Sequence, residues 1–533
     1  MSTSGDSAAA PTAYDVVPYP SASFPQSHPL RLAAMGRLMG VNTVAPAKAR
    51  VLELGCADGA NLLPMAEHFP QASYLGLDAS KVQVAAAQKA IEGAGLKNVE
   101  VRCQNILDFP ASEGKFDYII VHGIFSWVPE PVRQKIMQIC SAHLAETGIA
   151  YISYNALPGW NMRRSLRDMM LFHTRQFAEP AMKVKQARAL LAFMSESVPT
   201  ENSAFGMLLK SESDILSKQV DSFLAHDILE EENTPFYLHE FVARAESQGL
   251  QYLGEPSLSQ MLSANFPEKV RDTLNRVGTT VVAQEQYMDF LRNRFFRQTL
   301  LCHKSQTVTR QVQPTVMASF AYQSYLKRPA APVDLTHGVQ VSFVSTAGAT
   351  INTADSYLKA AFQAIAMAAP GLIGYQEVLA TARTQSRPFL GALPANRDLI
   401  DDATLQSNLL NLYSKGFLEI SAEPVPVVTT SPAKPLMGRL ARFWAASNAR
   451  FLTNLIHVSV PADVFARFVI AACDGTRTEP EIVEELVKQV KADKLGVKEG
   501  DKPVTDESRL RELLKPQVEG VVKRLAEHGF FAP

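Results

Sequence analysis

The sequence predicts an α/β fold: a mostly parallel sheet with crossover helices, interrupted by a helical insertion and followed by helical, winged-helix-like domains. Three observations predict it. From Ala49 onward, short β-branched runs alternate with helical stretches, which is how a parallel sheet and its connecting helices read in a sequence. Residues 160–230 read as helices throughout. Beyond residue 305 the composition shifts, and two segments end alike. LLNLYSKGFLEIS at 409–421 and VVKRLAEHGFFAP at 521–533 each run from helix through a polar turn and Gly-Phe into an apolar end.

Taken in order, residues 1–45 are rich in Pro, Ser and aromatics (YDVVPYPSASFPQSHPLRL) and read as an irregular ordered arm. The core at 46–159 carries strands expected at 50–54, 73–77, 98–103, 116–121 and 149–154. The insertion at 160–230 is expected to act as a lid or dimer contact. Its residues Leu208, Ile215, Leu216, Val220, Phe223, Leu224 and Ile228 recur at helical spacing in what reads as one long amphipathic segment. Thr234 and Pro235 are an N-cap and first-turn proline for a further helix, which Gly249 ends in the left-handed conformation. Strands at 250–255 and 297–302, with a helix around 281–293 between them, are expected to complete the sheet within 231–305. Linkers at 328–333 (RPAAPV) and 423–435 (EPVPVVTTSPAKP) bound a middle unit, 306–422, and a C-terminal one, 436–533. The charged stretch 491–508 reads as a solvated loop, and 434–451 as an amphipathic core helix.

Bulk properties narrow the function. A chain of 533 residues exceeds a single hydrophobic core. With 52 basic and 53 acidic side chains the net charge is -1, so no global field favours nucleic acid or a membrane surface as partner. The cysteines Cys56, Cys103, Cys140, Cys302 and Cys473 are odd in number and scattered, with no metal-ligand spacing. No metal is expected, and a reducing compartment is. The N-terminus lacks a signal-peptide pattern, and no run approaches roughly 18 consecutive apolar residues. A soluble, cytoplasmic protein follows as the expectation.

The first strand ends in Glu53-Leu54-Gly55-Cys56-Ala57-Asp58-Gly59 and a helix follows. Gly55 permits a sharp turn, and Gly59 lets backbone approach a ligand at the helix start. The dinucleotide fingerprint GxGxxG is not matched, which argues against NAD or FAD. The acid-x-Gly-x-x-x-Gly form resembles the S-adenosylmethionine loop of Rossmann-like class I methyltransferases. That resemblance implies that Gly55, Cys56 and Gly59 face the methionine part of the cofactor and that Glu53 holds its ammonium group. Asp78, followed by Ala79, ends the second strand at about the twenty-residue spacing expected of a carboxylate that accepts ribose hydroxyls. After the third strand, Asn105 falls where such enzymes hydrogen-bond the adenine edge, and Ile106 would flank the ring. Each piece alone has a plain reading, the glycines as turns and Asp78 as a helix N-cap. Together, with order and spacing kept, they point to S-adenosylmethionine.

Longer strings extend the resemblance: PYPSASFPQSHP, VLELGCADGANLLPMA, FDYIIVHGIFSWVP, YISYNALPGW, TPFYLHEF and QYMDFLRNRFFRQTLLCH. They resemble bacterial methyltransferases with a methyltransferase regulatory domain, a group that includes rickettsial protein lysine methyltransferases acting on outer-membrane proteins. The resemblance covers roughly residues 14–305 well and the C-terminal units more loosely. One departure is visible, Ala57 and Ala60 where glycines are expected.

The resemblance implies N-methylation of lysine in a protein or peptide, an outer-membrane protein before export among the candidates, by in-line transfer without a metal. A homodimer is a further candidate. His122 follows the fourth strand, where it packs against the cofactor, accepts a proton or is simply structural. Phe125 and Trp127 either form aromatic walls for an ammonium or sulfonium or pack in the core. Tyr154 and Asn155 after the fifth strand are the preferred acceptor-side residues. Tyr14, Tyr19 and His28 in the arm either close over the cofactor or pack at the surface. His239 and Glu240 fit a capped surface helix. Two other functions stay open: a small-molecule methyltransferase with regulatory accessory domains, and a non-catalytic S-adenosylmethionine-sensing interaction protein.

Overall fold

In a computed structural model of the chain, residues 21–390 and 397–533 are described. Seven strands form the central sheet: β1 (Arg50–Leu54), β2 (Ser73–Asp78), β3 (Val99–Cys103), β4 (Phe116–Val121), β5 (Leu144–Asn155), β6 (Leu250–Gly254) and β7 (Phe296–His303). Their order is β3-β2-β1-β4-β5-β7-β6. The first five are parallel, and β7 runs antiparallel to both β5 and β6. Strand order reverses between β1 and β4, the point at which open α/β sheets bind ligands beyond the strand C-termini. The expected strands are all present, β5 starting at Leu144 rather than at residue 149.

Both faces of the sheet are covered, which is why its strands read as apolar runs. On one face Val51, Tyr118, Ile120, Ile149 and Tyr151 share a core with the arm and the middle unit. On the other, Leu52, Leu54, Ile119, Val121, Ile152 and Tyr154 pack with Phe236 and Phe241. The arm is not irregular throughout. Pro29–Leu38 is a helix with nine of its ten residues buried. Pro29 occupies the first turn, and the His28 side chain caps it by accepting from Leu30 N at 3.1 Å.

The insertion consists of helices Gly159–Thr174, Pro180–Ser197 and Ala204–Leu216 around their own core of Leu166, Met170, Leu191, Leu209 and Leu224. The single long helix expected from Leu208 to Ile228 is broken. Val220 is extended (φ -70, ψ 158) and 52% exposed, and a π-turn follows at Leu224–Ile228. The next helix also differs. It begins at Leu238, capped by Tyr237 and Glu240, because residues before it extend the sheet: Phe236 bridges Ala156 and Thr234 N donates to Ser126 O at 2.8 Å. Gly249 is left-handed (φ 77) after that helix.

In the middle unit, strand Ala321–Ser324 pairs antiparallel with Leu372–Gly374 and Leu418–Ser421, backed by helices Ser356–Ala368, Tyr375–Ser386 and Arg397–Ser414. The C-terminal unit has helices Arg439–Ala446, Val464–Ala472, Glu479–Lys491 and Glu507–Glu527. An exposed hairpin, Lys498–Glu499 with Lys502–Pro503, forms within the charged stretch. Of the helix expected over 434–451 only Arg439–Ala446 forms, and it packs through Leu440, Ala441 and Ala445, while Leu436 and Phe451 outside it are exposed. This unit touches the sheet domain: Leu440 N donates to Glu67 Oε1 at 3.0 Å.

Candidate active site

The loop after β1 is shaped by backbone it cannot avoid. Gly55 (φ 74) and Gly59 (φ 81) are left-handed, and Gly55 N and Cys56 N both donate to Leu77 O at 2.7 and 3.0 Å. Ala57 is left-handed as well (φ 48), at one of the two positions where a glycine was expected. Its N–H donates to Asp78 Oδ2 at 2.9 Å, while Asp78 Oδ1 accepts from Ser80 N at 2.9 Å. The Asp78 carboxylate thus joins the β1 loop to the end of β2. Asn105 accepts from Leu107 N at 2.9 Å, capping a short turn after β3.

A cavity of about 690 Å³ opens at these strand ends. Gly55, Ala57, Asp78, Ala79, Asn105 and Ile106 line one part of it, together with His122 and Phe24. Trp127, Asn155, Trp160, Arg163, Phe223 and Asp227 line another. His122 stacks on Phe24, with centroids 3.6 Å apart, and its Nδ1 lies 2.9 Å from the Tyr151 hydroxyl. Burial pushes its pKa down to about 3, so the ring is neutral at physiological pH and is a poor proton acceptor. Asn155 is held from both ends, its N–H on Ser126 Oγ at 2.9 Å and its Nδ2 on Asn233 Oδ1 at 3.0 Å.

Trp127 and Trp160 meet edge to face at 5.9 Å. Arg163 lies 5.2 Å from the Phe295 ring centroid and pairs with Glu212 at 3.2 Å. Phe295 lines the cavity yet is 52% exposed, so the wall reaches solvent. Sequence reasoning assigned no role to Phe24, Trp160, Arg163 or Asp227, and read Phe223 only as an apolar position of the insertion. An available signal was Trp160, an aromatic in the first turn of the helix that follows β5. The π-turn that brings Asp227 and Ile228 to the cavity leaves no sequence mark, though such turns recur at functional sites.

Other candidates lie elsewhere. Tyr154 is 1% exposed and stacks on Phe241 at 4.0 Å. Its hydroxyl meets Thr299 Oγ1 at 3.1 Å, so it is a core residue and not an acceptor-side one. Phe125 is fully buried between Phe236 and Phe241 and forms no wall for a ligand. His28 caps the arm helix instead of closing over the cavity. Cys56 is buried, its thiol pushed up by that burial. Gly59 is not among the residues lining the cavity; its carbonyl accepts from Leu63 N. His239 bonds Gln286 and Glu240 caps its helix. Tyr14 and Tyr19 lie outside the described residues.

The site fits an adenosyl sulfonium on one further observation. Glu53 is buried, and its Oε1 accepts from Asn61 Nδ2 at 2.7 Å. Its Oε2 is buried without a hydrogen-bond partner among the described residues. Desolvation raises its pKa to about 7, so a cationic group brought beside it would be met by a carboxylate ready to ionise. Among the described residues no cluster of His, Cys, Asp and Glu is arranged to hold a metal, and no helix is long and apolar enough to cross a membrane.

Comparison with known proteins agrees with this geometry. Three family models match: a methyltransferase domain over residues 51–148, a predicted methyltransferase regulatory domain over 220–303 and the C-terminal winged helix domain of PKMT over 433–530. The uncharacterized protein RP789 of Rickettsia prowazekii is 35% identical over 520 residues, 95% of this chain and 92% of that protein. RP028 of the same organism is 40% identical over 240 residues, 45% of this chain and 96% of that protein. The structure of PKMT2 from Rickettsia typhi in complex with AdoHcy superposes with a TM-score of 0.83 at 30% identity, covering 97% of this chain and 100% of that one. With likeness running through nearly the whole length of each, the chain belongs to the same family as RP789 and PKMT2 and is an S-adenosylmethionine-dependent methyltransferase.

Proposed function

We propose that the chain transfers methyl groups to lysine side chains of a protein. The observation that carries this reading is the second part of the cavity: Trp127, Trp160 and Phe295 form an aromatic wall that reaches solvent. Such a wall admits a long, unbranched side chain that stays attached to a large molecule. A PKMT relative of the same fold, matched over 97% of this chain, supports it. The cofactor would be held by Asp78, Gly55, Ala57, Asn105 and Ile106 and would supply an electrophilic methyl on sulfur. The protein's own part is to align and desolvate the amine. Asn155 is pre-oriented by Ser126 and Asn233 to accept a hydrogen bond from it. Neutral His122 and Phe24 close the cavity beside the loop without adding charge.

The domain plan we favour keeps an arm, a sheet domain interrupted by the insertion, a middle unit and a C-terminal unit. An outer-membrane protein met in the cytoplasm before export is our candidate acceptor. Exposed Phe172, Phe193 and Met207 on the insertion support its use as a homodimer contact. The test is incubation of the pure protein with methyl-labelled S-adenosylmethionine and host lysate. Label in protein lysines is the expected result. Label confined to small molecules would overturn the protein acceptor and favour a small-molecule methyltransferase.

A further inference from the structure

The C-terminal unit reaches the cofactor loop through one turn. In that turn Val458 N donates to Asn454 Oδ1 at 2.8 Å, Asn454 Nδ2 donates to His528 O at 2.7 Å, and His457 adopts the left-handed conformation (φ 62). A non-glycine residue rarely takes that conformation, and here it delivers a side chain. The imidazole is 4% exposed, and its Nε2 lies 2.9 Å from Asn61 Oδ1.

Asn61 is the hub of three segments distant in sequence. Its Oδ1 accepts from Phe24 N at 2.9 Å, and its Nδ2 donates to Glu53 Oε1 at 2.7 Å and to Ser27 Oγ at 3.1 Å. A backbone N–H only donates, so the Phe24 bond fixes which end of the Asn61 amide is oxygen, and His457 must present Nε2–H to it. Burial lowers the His457 pKa to about 3, and the neutral ring keeps its single N–H for this contact. A second clamp runs alongside: Ser23 N donates to Ser459 Oγ at 2.8 Å. Phe24 lines the cavity and stacks on His122, and Glu53 carries the buried carboxylate oxygen behind the loop.

We propose that His457 is a positioning residue for methyl transfer: through Asn61 it sets the Glu53 carboxylate and the Phe24 ring, making the C-terminal unit part of the cofactor site. Nothing in this depends on the acceptor. The C-terminal unit is then coupled to cofactor binding, and the coupling is reciprocal.

The test is calorimetric binding of S-adenosylhomocysteine to full-length variants. His457→Ala is expected to weaken binding about tenfold, the scale of one lost buried hydrogen bond and an unsatisfied partner. His457→Gln, which restores an N–H donor, is expected to recover most of it. Val469→Ala, in the core of the same unit, destabilises that unit without touching the hub and is expected to leave binding unchanged. Unchanged affinity in His457→Ala, no recovery in His457→Gln, or an equal loss in Val469→Ala would overturn the proposal. Should His457→Ala not fold, wild-type hydrogen exchange decides. S-adenosylhomocysteine is expected to slow amide exchange at 454–459, and unchanged exchange there would overturn the proposal. Absence of binding by the wild type would instead count against the cofactor site itself.

Discussion

Ala57 is the point at which the β1 loop carries measurable strain. Its φ of 48 places a Cβ in the left-handed region, at a cost of about 1–2 kcal/mol. Ala57→Gly removes that cost but gives the unfolded chain more freedom, a penalty of about 0.4–1 kcal/mol. The balance of the two midpoints is a net stabilisation of about 0.8 kcal/mol, with the Ala57 N–H to Asp78 bond kept. The chain holds three tryptophans, Trp127, Trp160 and Trp444. In a Trp444→Phe background the remaining two report on the cavity, so urea unfolding followed by their fluorescence isolates the relevant cooperative unit. The expected result is a midpoint shifted upward with an unchanged slope. A downward shift would refute the reasoning, because the Ala57 methyl would then contribute more through packing than the left-handed backbone costs.

Two further outcomes follow from burial. Glu53 stands at about 7 against an ordinary 4.5. Between those values the unfolded chain releases a proton that the folded chain keeps, so stability falls as pH rises from about 4.5 to about 7 and levels off above. The cost at full ionisation is at most about 3 kcal/mol. Glu53→Gln is expected to flatten this part of the pH–stability curve and to be the more stable protein at about pH 8; parallel curves for the two proteins would contradict it. Tyr154→Phe removes a hydroxyl whose partner is Thr299. It is expected to cost about 1 kcal/mol of stability with kcat within about twofold of wild type, and a large loss of kcat at unchanged stability would return Tyr154 to the acceptor side.

What was legible in the sequence had a local cause. The strands stood out as short apolar runs alternating with helical stretches, β1 ending at Gly55 and β2 at Asp78, and Asp78 stood out because strand, loop and spacing agreed. The acceptor side was less legible because it depends on strand parity. In β5, Tyr151 and Ser153 turn toward His122 and Gly123, whereas Ile152 and Tyr154 turn into the opposite core. Which parity faces the cavity is decided by what covers each face, including an arm helix and a middle unit distant in sequence. For Phe125 the sequence left wall and core packing both open for the same reason, since Phe236 and Phe241 arrive over it from beyond the insertion. His28 carried a local signal that was available, a proline one residue after a capping side chain. The Asn61–His457 contact carried none, because its partners lie 396 residues apart.

Titration of S-adenosylmethionine into the wild type and into Asp78→Ala bears most directly on the cofactor site. Asp78 lines the cavity and ties the two loops together. Saturable heat is expected with the wild type, and a loss of more than about 1 kcal/mol in binding free energy with the variant, the scale of a charge-assisted hydrogen bond. No heat with the wild type, or equal affinity in the two proteins, would contradict the placement of the cofactor at the ends of β1 and β2.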